Sequence, residues 1–109
     1  QMKPRPDSER EKTSDAPLKA LARAFAALER PQDALSFLRD LCTPAELEAM
    51  ADRWRVVPLL RKGVPYREIH DLTGVSVTTI GRVARSLEHG AGGYAVAIER
   101  IAARKTESN

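Results

Sequence analysis

Tyr66–Leu87 reads YREIHDLTGVSVTTIGRVARSL, and the spacing of this stretch decides the fold. Counted from Tyr66, Ile69 stands fourth, Gly74 ninth, Val75 tenth and Ile80 fifteenth. Two short helices joined by a tight turn and crossing at a large angle need aliphatic residues at those places and a glycine in the turn. Gly74 supplies a positive φ, which costs little only without a Cβ. Ser76 then reads as the N-cap of the second helix, its hydroxyl accepting a backbone N–H from the first turn. In that helix Ile80, Val83, Ala84 and Leu87 recur at three- and four-residue spacing, the mark of an inward stripe. Val77, Thr78, Thr79, Gly81, Arg82 and Arg85 are left facing outward. Short side chains at the start of an exposed helix let its tip approach base edges in a major groove. Threonine can touch thymine methyls or polar edges, and arginine reaches guanine or phosphate. The stretch is therefore expected to be a DNA-binding helix-turn-helix. The same periodicity also fits an amphipathic hairpin in an ordinary bundle, and His70, at the fifth place where a small residue is usual, departs from the general pattern.

The flanking sequence is helical throughout. Leu18, Leu21, Ala22, Phe25 and Leu28 give a first stripe from Pro17 to the interruption at Pro31, and Ala34, Leu35, Leu38 and Leu41 a second that runs to about Cys42. Thr43-Pro44-Ala45-Glu46 reads as a capping box opening a third helix. Leu47, Met50, Ala51, Trp54 and Val57 share one face of it, with Trp54 expected as a core anchor. Pro58 should bend this helix before it stops near Gly63. Gly90, Gly92 and Gly93 break the chain again, after which Tyr94, Ala97, Ile98, Ile101 and Ala102 make a final amphipathic helix. Residues 1–16 combine Pro4 and Pro6 with four basic and four acidic residues and little that is apolar, so they are expected to be disordered. A helical domain is then expected over 17–104, with a flexible tail over 105–109. No alternating β pattern or internal repeat competes.

Composition narrows the function. The chain has 109 residues, 42% hydrophobic and only 5% aromatic, enough for one small domain with an aliphatic core. No apolar run is long enough to cross a membrane and no signal peptide opens the chain, so a cytoplasmic protein is expected. Cys42 is the only cysteine and reads as a buried apolar filler, and no Cys or His cluster has metal-ligand spacing. No nucleophile and base, paired carboxylates or phosphate cradle is recognisable, so neither an enzyme nor a cofactor is expected. The charge is +3 overall, but Arg53–Leu87 carries seven basic residues against two acids, so this stretch holds +5 and the remainder −2. Positive charge gathered around the reading helix is what phosphate binding requires.

Six short helices with narrow apolar stripes do not obviously close one core, and short helices depend on packing rather than propensity. A second copy of the chain is the expected cover. A two-fold dimer would also space two reading helices by about one DNA turn, roughly 34–36 Å.

With the parts in this order, the chain resembles the Trp repressor superfamily, and within it the branch of YerC/YecD-type regulators. Leu41-Cys42-Thr43-Pro44-Ala45-Glu46, Arg53-Trp54-Arg55-Val56, and Thr79-Ile80-Gly81-Arg82-Val83 followed by Ser86-Leu87 carry the resemblance. Glu88-His89-Gly90 and Gly92-Gly93-Tyr94 look more like the branch than the repressor itself. The resemblance covers roughly Leu18 to Ala103. It implies an all-helical, intertwined homodimer that binds double-stranded operator DNA. It also places Tyr66, Arg67, His70, Ser76, Val77, Thr78, Thr79, Gly81 and Arg82 at or near DNA, and removes the objection to His70, because the repressor also lacks a small residue there.

Part of the family's ligand pocket is present in Arg53, Arg82 and Ser86, but Val83 stands where the pocket has a glycine. Its extra carbons would occupy ring space at about 1–3 kcal/mol of overpacking, so tryptophan is not expected as corepressor. In the alternative, Arg53 and Arg82 pair with carboxylates or helix ends, Val83 and Trp54 fill the site, and DNA binding needs no small molecule. A transcriptional regulator, expected to repress, is the first reading. The other is a dimeric helical protein–protein interaction module with a vestigial helix-turn-helix, for which Glu68, Asp71 and the modest total charge leave room. RNA binding ranks below both, because the base-stacking aromatics of the common RNA-binding modules are absent.

Overall fold

The computed structural model describes residues 7–108, with side-chain surroundings for 15–106. Among the described residues there are six α-helices and no strand: α1 (Asp7–Ala27), α2 (Pro31–Leu41), α3 (Pro44–Arg61), α4 (Tyr66–Thr73), α5 (Val77–His89) and α6 (Gly93–Ser108). They divide into two compact units, one ending at Thr43 and one starting at Pro44.

In the first unit α1 begins well ahead of Pro17, which lies inside it and forgoes one intrahelical hydrogen bond. The expectation of disorder over 1–16 is thus corrected from Asp7 onward; residues 1–6 lie outside the described residues. Glu9, Arg10, Glu11 and Lys12 are long, unbranched residue types of good helix propensity, and extending an existing helix costs far less than nucleating one. Arg30 precedes α2 with extended backbone, its side chain paired to Asp33 at 3.0 Å. Phe25 and Phe37 meet edge to face with centroids 5.0 Å apart. Even so, no residue from 15 to 43 is fully buried. Cys42, expected to be buried, is half-buried at the C-cap of α2, its N–H donating to the Leu38 carbonyl at 2.9 Å.

The second unit holds the core. Val56 and Val57 of α3, Ile69 of α4, Val75 of the turn, and Ile80 and Val83 of α5 are at most 4% exposed. Leu59, Leu60, Val64, Leu87, Tyr94 and Ile98 pack around them. α3 packs on both α4 and α5, which also pack on each other. That two-sided contact explains why adjacent Val56 and Val57 are both buried, where the sequence stripe includes only Val57. Trp54 is a correction: it is 40% exposed and stacks on Tyr94 of α6 with centroids 6.2 Å apart. Pro58 does not split α3, which continues to Arg61. Its end is closed by Val64 N–H donating to the Leu59 carbonyl and Gly63 N–H to the Leu60 carbonyl, with Gly63 at φ 79°. α6 runs on to Ser108, so residues 105–108 are helical rather than a loose tail. Thr106 Oγ1 donates to the Ala102 carbonyl at 3.0 Å there.

Gly74 caps α4 in the left-handed region, φ 77° and ψ −2°, and an added Cβ would meet nothing within 4 Å. Gly74→Ala is therefore a test of backbone strain alone. It should lower the unfolding free energy by about 1–2 kcal/mol, read by urea denaturation with an unchanged slope.

Candidate nucleic-acid interface

Three side chains build the turn that aims α5. Thr73 Oγ1 donates to the Ile69 carbonyl at 2.7 Å and accepts the Val75 N–H at 3.1 Å. His70 Nδ1 lies 2.8 Å from the Val75 carbonyl. The Val75 side chain is meanwhile sunk in the core at 4% exposure. Val75 is thus held at its N–H, its carbonyl and its side chain. Sequence reasoning missed Thr73 altogether; the signal was available, since threonine near a helix end readily bonds back to the carbonyl four residues earlier.

Ser76 follows at φ −65° and ψ 148° and caps α5 as its sequence predicts. Its Oγ accepts the Thr79 N–H at 3.1 Å and donates to Thr79 Oγ1 at 3.0 Å. Ile80 and Val83 turn inward at 0% and 1% exposure. The opposite face carries Val77, Thr78, Arg82 and Arg85, all exposed, and beside it on α4 stand Tyr66, Arg67 and His70, also exposed. Thr79 and Gly81 are half-buried. A Cβ on Gly81 would sit 4.0 Å from Tyr66 Cε2, so the Tyr66 ring and the small residue on α5 mark where the two helices adjoin on this surface. The sequence-predicted residues thus make one strip that runs along α4 from Tyr66 to His70, through the Ser76 cap, and along α5 from Val77 to Arg85.

The charge on that strip is uncommitted. The ion pairs of this unit among the described residues lie elsewhere, Arg55 with Asp52 on α3 at 3.8 Å and His89 with Glu88 at the far end of α5 at 3.7 Å. Among the described residues Arg53, Arg67, Arg82 and Arg85 have no carboxylate partner within 4 Å. Of the two partners expected for Arg53 and Arg82, carboxylates or helix ends, the carboxylates are corrected: both side chains are exposed, with no such pair among the described residues. Ser86 is exposed as well. Two clefts in this unit are formed by other residues. One, of about 790 Å³, lies between α5, α6 and the α3–α4 turn, and the other, of about 410 Å³, between α3 and α6; neither is lined by Arg53, Arg82 or Ser86. No cluster of His, Cys, Asp or Glu among the described residues could hold a metal ion, and no described helix is long and apolar enough to span a membrane.

The comparisons with known proteins agree with this geometry. The sequence profile of the Trp repressor protein family matches residues 16–102. YerC of Bacillus subtilis (strain 168), itself uncharacterised, is 36% identical over 92 residues, which are 84% of this chain and 88% of YerC. A crystal structure of a candidate Trp repressor from Staphylococcus aureus superposes with a TM-score of 0.74 at 34% identity, over 84% of this chain and 91% of that one. A TrpR-like protein from Eubacterium eligens gives 0.73 at 34% identity, over 80% and 90%. From a family profile spanning most of the chain, a relative above 30% identity and two like folds, the conclusion is that this chain belongs to the Trp repressor family.

Proposed function

We propose that the protein is a sequence-specific, double-stranded-DNA-binding transcriptional regulator, a repressor in the cytoplasm that acts as an intertwined homodimer and needs no tryptophan. The observation that carries this reading is the exposed tip of α5. Val77 is 49% exposed there, and unpaired arginines lie behind it on a framework fixed by Gly74, Val75 and Ser76. Tyr66, Arg67, His70, Ser76, Val77, Thr78, Thr79, Gly81, Arg82 and Arg85 form the DNA-facing set, with the arginines on phosphate or guanine and the small residues of α5 nearest the bases.

Dimerisation is supported by apolar surface that the chain leaves open. Leu18 is 63% exposed, Leu35 49%, Leu41 48%, Val96 54% and Ile101 45%. Leucine and isoleucine stripes so exposed call for a cover, and a second copy provides it while pairing two reading helices. Independence from tryptophan is supported by Val83, whose side chain is packed at 1% exposure among Ile80, Val56 and Val57.

Selection of genomic fragments by the purified protein over a salt series tests the reading. Binding should concentrate on a few two-fold-symmetric sequences and weaken steeply with salt, about 10³-fold or more between 50 and 200 mM if six or more phosphates are contacted. Equal capture of all fragments, a flat salt response, or a monomer by light scattering would overturn it. Added tryptophan should leave the affinity unchanged.

A further inference from the structure

His70 stands on the proposed DNA-facing strip, but its ring is not free. Nδ1 lies 2.8 Å from the Val75 carbonyl, five residues on and across the turn. A carbonyl oxygen can only accept, so the proton of this bond belongs to Nδ1. In the neutral ring Nε2 then carries a bare lone pair, and it has no partner among the described residues. Such an atom accepts hydrogen bonds and cannot donate one to a phosphate.

Val75 is the last residue before the cap of α5, and its carbonyl defines the plane of the peptide that delivers Ser76. Thr73 fixes the N–H of Val75 and the core fixes its side chain. Among the described residues only His70 bonds the carbonyl. We propose that His70 is a positioning residue: its Nδ1–H clamps the Val75 carbonyl, sets the direction in which α5 leaves the turn, and so aligns Val77, Thr78 and Arg82 without itself neutralising a phosphate. This rests on the DNA-binding reading above and gives one residue of that surface a role acting through the turn.

Two isosteric replacements separate the roles of the two ring nitrogens. The amide nitrogen of asparagine occupies the place of Nδ1, and that of glutamine the place of Nε2. Lysine supplies the charge a phosphate contact would want. With full-length protein and the duplexes the parent selects, His70→Asn should bind within about twofold of the parent. His70→Gln and His70→Lys should each bind about five- to tenfold more weakly, the factor a lost hydrogen bond of roughly 1–1.4 kcal/mol gives. The salt slope should not move in any of them. His70→Lys binding as tightly as the parent with a steeper slope, or His70→Asn as weak as His70→Gln, overturns the proposal.

A second measurement needs no DNA. Long-range ¹H–¹⁵N correlation on labelled histidine should show the Nδ1–H tautomer at His70 in the neutral ring, and an Nε2–H tautomer overturns it. If the parent binds no duplex at all, the regulatory reading fails, while the tautomer and the melting order of the variants, Asn highest, still decide the role of His70.

Discussion

Ile80→Ala should lower the unfolding free energy by about 2–5 kcal/mol, a large share of what a domain of this size holds. Ile80 is 0% exposed and lies on α5, which packs on both α3 and α4. Removing its outer carbons leaves a void among Val56, Val57, Ile69 and Val83, and these β-branched neighbours, stiff about χ1, cannot close it by changing rotamer. At roughly 4–8 °C per kcal/mol the melting temperature should fall by about 10 °C or more. Leu72→Ala is the control: Leu72 sits on α4 but is 65% exposed, so its truncation should change stability by no more than about 0.5 kcal/mol. Equal losses for the two would mean that the buried face of the helix-turn-helix is wrongly placed. Loss of DNA binding by Ile80→Ala would follow from unfolding alone, so stability is the informative measurement at this position.

The same position shows what was legible in the sequence. Ile69, Gly74, Val75, Ser76, Ile80 and Val83 could be placed because a helix-turn-helix is local: its contacts fall within some twenty residues, and the period, the turn glycine and the cap all constrain one geometry. α3 was harder. Its stripe through Leu47, Met50, Trp54 and Val57 is a true helical stripe, yet the chain buries Val56 beside Val57 and leaves Trp54 at 40% exposure. Periodicity says which residues share a face, but not which neighbour will pack there. The stripes of α1, α2 and α6 also have the right spacing, and within residues 15–106 none of these helices carries a fully buried residue. The ends of α1 and α6 went unseen because charged segments lack an apolar period, although their residue types favour helix. The clamp on Val75 had no pattern at all, since a hydrogen bond from His70 across the turn depends on a backbone direction that only the folded turn defines.

Replacing Arg67, Arg82 and Arg85 together with alanine should abolish most DNA binding and leave the fold intact. Because none has a carboxylate partner among the described residues and all are exposed, their removal strands no buried charge. The melting curve should stay within the small range typical of surface changes, about ±0.5 kcal/mol per site. On DNA the outcome differs. Each arginine that neutralises a phosphate contributes about 0.9 to the slope of log affinity against log salt, so the triple variant should lose up to about three units of slope per chain. Affinity at physiological salt should fall on the order of a hundredfold or more as these contacts go.

Arg39→Ala, the same change on α2, is the matched control. Thr79→Ala probes a different quantity. It removes the hydroxyl that accepts from Ser76 but keeps the N–H that Ser76 caps, so the helix start survives. Its effect should appear as poorer discrimination between sequences, by about 1–3 kcal/mol for the affected base pair, with the salt slope unchanged. A triple variant whose slope equals that of Arg39→Ala would show that the exposed arginines of α4 and α5 do not face the duplex.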